Sequence, residues 1–157
     1  MKSVKKVLLL LLIIFVVAQF FKPEKNEGSL ESVVAFLDET KPPKHVQTIL
    51  NNACFDCHSA VTNYPWYNKI TPLNYWLASH IKEGKKHFNV SRWKDYSLNR
   101  KDHKIEELIE MVEAKQMPLA SYTWTHSDAK LNAQQIEEVL QWAKQVRVMY
   151  GLVPKPQ

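Results

Sequence analysis

Ala53-Cys54-Phe55-Asp56-Cys57-His58-Ser59 is the stretch of the chain that decides its fold. It contains Cys-x-x-Cys-His, the attachment signal of c-type haem. Two thiols three positions apart on a helical turn reach the two vinyl groups on one edge of a porphyrin, and the next residue presents an imidazole to the iron. The motif predicts that Cys54 and Cys57 hold one haem covalently, with His58 as the proximal iron ligand.

The two cysteines have other possible roles. A structural zinc site needs four ligands, but four of the remaining histidines do not fall in a paired ligand spacing: His80, His87, His103 and His126. A thiol–disulfide redox pair usually follows a strand in an α/β pattern, which this sequence does not show. A plain disulfide between Cys54 and Cys57 is the third alternative. The adjacent histidine and the lack of any further cysteine favour haem.

The sixth ligand of the iron is predicted to be Met117. It stands before Pro118 in an irregular stretch ahead of the last predicted helix, and the proline stiffens this stretch. Met117 could instead only pack, since methionine often fills gaps in a core. His80 and His126 are the alternative ligands, whereas Met111 and Met149 fall in predicted helices. For His58, a backbone carbonyl between Ile70 and Pro72 is the expected partner of the second ring nitrogen.

An apolar run, VLLLLLIIFVVAQFF, occupies residues 7–21 behind Lys2, Lys5 and Lys6. This is the plan of an export signal, but small residues at a cleavage site are missing. Lysines at both ends can extend its short span, and those before the run keep the N-terminus cytoplasmic. We therefore expect residues 1–22 to anchor the chain in the inner membrane with the haem domain in the periplasm. A cleaved leader and a buried core helix are the alternatives.

Composition indicates one helical domain rather than a nucleic-acid binder. The chain has 157 residues, 45% of them hydrophobic, and only 3 glycines against 8 prolines. Its net charge is +5, but three lysines lie in the first six residues and all acidic residues come after the apolar run. The remainder is nearly neutral, and it carries no basic stripe that would indicate nucleic-acid binding.

Apolar spacing predicts an all-α fold of four to five helices around one haem, preceded by the N-terminal hydrophobic helix. Residues 23–28 are read as a linker, 29–150 as the haem-binding domain and 151–157 as a tail. Ser29 caps the first helix of the domain, whose expected inner face is Leu30, Val33, Val34 and Leu37. Helices follow at 44–54, from Thr71-Pro72, at 101–115 and from Asn132, which forms a capping box with Gln135. The expected inner face of the helix after Pro72 is Leu73, Trp76, Leu77, His80 and Ile81.

Longer stretches resemble a known family. These are ACFDCHS at 53–59, TNYPWYNKITPLNYWLASHIKEGK at 62–85, the Asn-x-Ser-x-Trp of residues 89–93, and Met117-Pro118. Together they resemble the bacterial haem-binding domain family of exported proteins with a single Cys-x-x-Cys-His, over roughly residues 30–147. The resemblance implies haem c binding and a cytochrome c-like helical body, and it says little about physiological role.

The expected function is electron transfer on the periplasmic side of the membrane, to and from redox partner proteins there. The protein would bind, orient and tune its haem. The sequence contains no separate catalytic group, so enzymatic activity is the less favoured interpretation. The alternative is a peroxidase-like enzyme or a gas or redox sensor with an open sixth position, in which His80 or His126 acts with Arg92.

Overall fold

The computed structural model describes residues 2–151 as a helical protein, and this part of the chain contains no β-strand. Its eight α-helices are α1 (Lys2–Ala18), α2 (Val34–Thr40), α3 (Lys44–Ala53), α4 (Phe55–His58), α5 (Leu73–His87), α6 (Leu98–Glu113), α7 (Ala120–Thr123) and α8 (Ala133–Met149). Short 3₁₀ helices at 30–33, 66–69, 90–95 and 127–129 connect them. Residues 152–157 of the predicted tail lie outside the described residues.

The predicted helices of the domain are confirmed, and two one-turn helices, α4 and α7, add to them. The capping box of α8 forms as expected, because Asn132 accepts from the Gln135 backbone N–H and Gln135 accepts from that of Asn132. Helix α5 begins one residue later than predicted, with Pro72 at its N-cap. Helix α6 begins at Leu98, where the Ser97 hydroxyl accepts from the Arg100 backbone N–H.

The predicted inner face of the first domain helix is wrong in part. Ser29 does cap it, but residues 30–33 form a 3₁₀ turn before α2 begins. A 3₁₀ helix has three residues per turn rather than 3.6, so the buried face rotates on passing into α2. Val33, Phe36 and Thr40 are buried, whereas Leu30 is 68% exposed.

The face of α5 also differs from the prediction. Asn74, Leu77 and Ile81 are buried, while Leu73 and Trp76 are each 42% exposed. Asn74 belongs to the inner face because its side-chain amide donates to the Thr71 hydroxyl, which satisfies a buried polar group.

The Cys-x-x-Cys-His motif lies between two hydrophobic clusters. The larger one is built around Phe36, whose ring makes edge-to-face contacts with those of Phe55, Phe88, Trp93 and Trp142. Cys54 packs against this cluster, and Cys57 packs against the smaller one, which consists of Tyr67, Leu77 and Ile81. Both cysteines are therefore held by apolar contacts, each with a different cluster.

The N-terminal part of the chain consists of helix α1, which ends at Ala18, and the non-helical segment that follows it. Helix α1 is apolar and has no buried residue. Among residues 2–151, no helix combines the length and hydropathy required of a membrane span. The segment predicted as a linker is ordered: Gly28 donates its N–H to Ala60 O at 2.8 Å, and the Asn26 N–H donates to the Tyr64 hydroxyl at 2.6 Å. It lies across the loop that follows the motif.

Candidate functional site

The backbone of the motif forms a single helical turn. Cys54 is both the C-cap of α3 and the N-cap of α4. Its φ of −124° and ψ of −46° are not helical, so the chain changes direction there. Its carbonyl accepts from the N–H groups of Cys57 at 3.2 Å and His58 at 3.0 Å. These bonds place the two thiols and the imidazole on adjacent positions of the same turn.

The imidazole of His58 is fixed by the end of α5. Its Nδ1 lies 3.0 Å from Gly84 O and 2.9 Å from Phe88 O. Two carbonyl acceptors require a proton on Nδ1, which leaves the lone pair of Nε2 free for a metal. Burial lowers the pKa of His58, so the neutral, metal-binding form is favoured. The expectation that the acceptor lies between Ile70 and Pro72 is wrong, because the last turn of α5 and not its beginning contacts His58.

Glycine at position 84 permits this contact. A Cβ at Gly84 would lie 2.8 Å from Cys57 O and 3.2 Å from Cys57 Cβ. No side chain fits at the first of these distances without movement of the backbone. Gly84 therefore lets α5 approach the motif closely enough for its own carbonyl to reach His58.

A crevice that opens to solvent lies beside the motif. Its walls combine the two ligand candidates with apolar side chains from α3, α6, α8 and the connection between α6 and α8: Ile49, Leu50, Ala53, Cys54, His58, Leu108, Val112, Met117, Pro118, Leu131 and Val139. A thiol, an imidazole and a thioether in an otherwise apolar setting match the chemistry of a haem with axial histidine and methionine. The residues present therefore fit the group that the motif predicts.

The end of α6 places Met117 at this crevice. After Glu113, Lys115 takes φ +55°, and the N–H groups of Lys115 and Gln116 donate to Val112 O at 3.0 Å and Met111 O at 2.9 Å. This pair of bonds is a Schellman motif, which reverses the chain at a helix C-terminus. Met117 then follows, its own N–H donating to Met111 O at 3.1 Å.

The thiols are poorly suited to redox exchange. Burial raises the pKa of Cys54 to about 12 and that of Cys57 to about 11. Disulfide exchange and zinc binding both use the thiolate, which a low pKa favours. The two sulfurs are not joined in a disulfide. Within residues 2–151, no group of three or more His, Cys, Asp or Glu side chains is arranged to hold a metal ion.

The other ligand candidates lie in different surroundings. His80 Nδ1 is 2.8 Å from Trp76 O, within its own helix. His126 stacks on Tyr122, with ring centroids 4.1 Å apart. Arg92 is exposed and pairs with Asp95 at 2.8 Å. The structure does not bring His80 and Arg92 into the crevice lining, which includes Met117 and His58.

Sequence reasoning missed a polar contact inside the motif. Asp56, one of its two variable positions, is buried, and its carboxylate accepts from the Tyr122 hydroxyl at 2.8 Å and the Asn63 N–H at 2.9 Å. Burial, with the bond to Asp56, raises the pKa of Tyr122, so this hydroxyl stays a donor. An acidic residue between the two cysteines of the motif was the available signal, because a carboxylate that becomes buried there needs partners.

We predict that Gly84→Ala destabilises the protein by about 1–3 kcal/mol through overpacking against Cys57. Glycine to alanine inside a helix ordinarily stabilises by roughly 0.5–1 kcal/mol, so the sign of the change is the test. Urea unfolding followed by circular dichroism measures it. Ser79→Ala, at an exposed position of the same helix, is the matched control and should change stability by less than about 0.5 kcal/mol. Equal or higher stability of Gly84→Ala would show that α5 does not press on the motif.

Comparison with known proteins identifies the family. The model of the haem-binding domain family matches residues 13–145, which is most of the chain and includes the motif, the crevice and Met117. No curated protein and no solved structure matches the chain. The match confirms the resemblance drawn from the sequence, and the chain belongs to the haem-binding domain family.

Proposed function

We propose that this haem-binding protein is a c-type cytochrome that carries electrons through one covalently held haem. Cys54 and Cys57 form the thioether bonds, and His58 and Met117 are the axial ligands. One observation carries the proposal: His58 and Met117, far apart in the sequence, line the same apolar crevice as Cys54.

When bound, haem supplies an iron that takes up and gives back one electron. The chain's own residues hold and tune it. The carbonyls of Gly84 and Phe88 fix the His58 ring and increase the basicity of its free nitrogen. Apolar walls such as Leu50, Val112 and Val139 limit water around the site. A methionine ligand raises the reduction potential relative to a second histidine.

The proposal includes export and anchoring at the inner membrane, with the haem domain on the periplasmic side. It is supported by the exposed apolar face all around α1 and by lysines at its N-terminal side. Helix α1 has 17 residues and is about 25 Å long, somewhat less than the roughly 30 Å of a bilayer core. Phe20 and Phe21 follow it and are exposed, so they extend the apolar length.

Contacts between the leader and the domain support a fixed position of the domain at the membrane. The Gln19 amide donates to Thr71 O at 3.1 Å and accepts from the Thr71 N–H at 2.9 Å. Thr71 precedes Pro72, the N-cap of α5, and α5 is the helix that orients His58. Redox partner proteins would then meet the domain at the membrane surface.

Replacing Met117 with alanine tests the axial ligand. Haem should stay attached, because Cys54, Cys57 and His58 are unchanged. The ferric spectrum should change from low spin towards high spin, added carbon monoxide should bind the ferrous form, and the reduction potential should fall. Optical spectroscopy and redox titration measure these changes.

Met111→Ala is the matched control, since Met111 lies on α6 just before the turn that leads to Met117. Its spectrum and potential should equal those of the wild type. If Met117→Ala also leaves them unchanged, Met117 only packs and is not a ligand. A high-spin ferric wild type would favour an enzyme or sensor with an open sixth position.

Cell fractionation tests the leader. The full chain should sediment with membranes and withstand a carbonate wash, and a variant with residues 1–22 replaced by a cleavable export signal should be released with the periplasmic fraction. A soluble native protein whose N-terminus lies near Lys22 would show that the leader is cleaved instead.

A further inference from the structure

A side-chain hydrogen bond connects the segment that carries Met117 to the Cys-x-x-Cys-His motif. The Tyr122 hydroxyl on α7 donates to Asp56 Oδ2 at 2.8 Å, and it lies 3.5 Å from Asn52 O. The other oxygen of Asp56 accepts from the Asn63 N–H at 2.9 Å. A carboxylate between Cys54 and Cys57 thus connects the motif, the loop after it and α7.

The segment around Tyr122 is otherwise short of regular structure. Residues 116–129 contain one turn of α-helix and one of 3₁₀ helix between α6 and α8. The segment is fixed at one end by the bonds to Met111 O and at the other by Ala129, which is fully buried. Between these ends, Tyr122 stacks on His126, and Thr125 Oγ1 lies 3.3 Å from the Tyr67 hydroxyl.

The bond from Tyr122 to Asp56 is the strongest type among these contacts. Its acceptor is a buried carboxylate, and hydrogen bonds to charged groups are about twice as strong as neutral ones. Tyr122 lies five residues after Met117, within the same connection. Loss of the bond would therefore free the segment near the methionine while the cysteines and His58 keep their places.

We propose that Tyr122 is a positioning residue: through its hydrogen bond to Asp56 it holds the Met117 segment closed over the crevice and limits access of external ligands to the sixth position. This inference rests on the proposed function, since it assigns a constraint on the proposed Met117 ligand. The contact connects the two sides of the site, because Asp56 belongs to the motif and Tyr122 to the opposite segment.

Tyr122→Phe in the full-length holoprotein is the direct test, with imidazole as the competing ligand of the ferric form. The variant keeps the ring that stacks on His126 and removes the hydroxyl. Imidazole affinity should rise about tenfold, the factor expected when one hydrogen bond to a charged group no longer opposes opening. Amide exchange of residues 116–126, measured by mass spectrometry, should accelerate.

Tyr150→Phe is the matched control. Its hydroxyl also donates to a carboxylate, that of Glu39 at 3.1 Å, but outside the crevice lining. It should leave imidazole affinity unchanged even if it lowers overall stability. In an Asp56→Ala background, Tyr122→Phe should have no further effect, because the bond is already absent.

The outcomes separate this inference from the proposed function. If Met117→Ala raises imidazole affinity but Tyr122→Phe changes neither affinity nor amide exchange, the positioning role of Tyr122 is overturned. The proposal that Met117 is the axial ligand is then still supported. If Met117→Ala leaves the imidazole affinity unchanged, the proposal that Met117 is a ligand fails. The role of the Tyr122–Asp56 bond is then decided by amide exchange alone. Faster exchange of residues 116–126 in Tyr122→Phe supports that role, and unchanged exchange overturns it. An equal rise in affinity for Tyr150→Phe would reduce the effect to general destabilisation.

Discussion

The contact between the end of α5 and the imidazole of His58 is the constraint on which the rest of the site depends. Two carbonyls, of Gly84 and Phe88, accept from one ring nitrogen and so leave the other free for the proposed iron. They can do so because position 84 has no Cβ and α5 lies against Cys57. The orientation of one ring thus follows from the packing of two helices.

The opposite side of the crevice is built by a different device. There the chain leaves α6 through a Schellman turn at Lys115 and passes Met117 before reaching α7. The motif side is rigid, since Cys54 and Cys57 pack on separate hydrophobic clusters. The Met117 side is a connection with little regular structure, held through Tyr122 to Asp56. This arrangement suits the proposed haem, which would be bonded covalently at the motif and ligated by Met117 from the other segment.

Much of this arrangement could be predicted from local sequence. The capping box at Asn132 and the apolar spacing of Val46, Ile49 and Leu50 specify their helices through bonds and contacts within a few residues. The partners of His58 could not be predicted, because they depend on which turn of α5 meets the motif. The buried face of residues 30–37 differs from the predicted one for a similar reason, because a 3₁₀ turn before α2 rotates it and brings Phe36 to the centre of the core. The Tyr122–Asp56 bond joins residues too distant in sequence for any local pattern to show.

The central claim is that Cys54 and Cys57 hold haem covalently, and the mass of the denatured chain tests it most directly. The protein is produced in a host that has a cytochrome c maturation system, unfolded in acid and organic solvent, and weighed by mass spectrometry. We expect a chain that carries the mass of one haem, localised by proteolysis to the peptide containing Cys54 and Cys57, and loss of that mass when both cysteines are replaced by alanine. A wild-type chain that releases all its haem on denaturation would contradict the account.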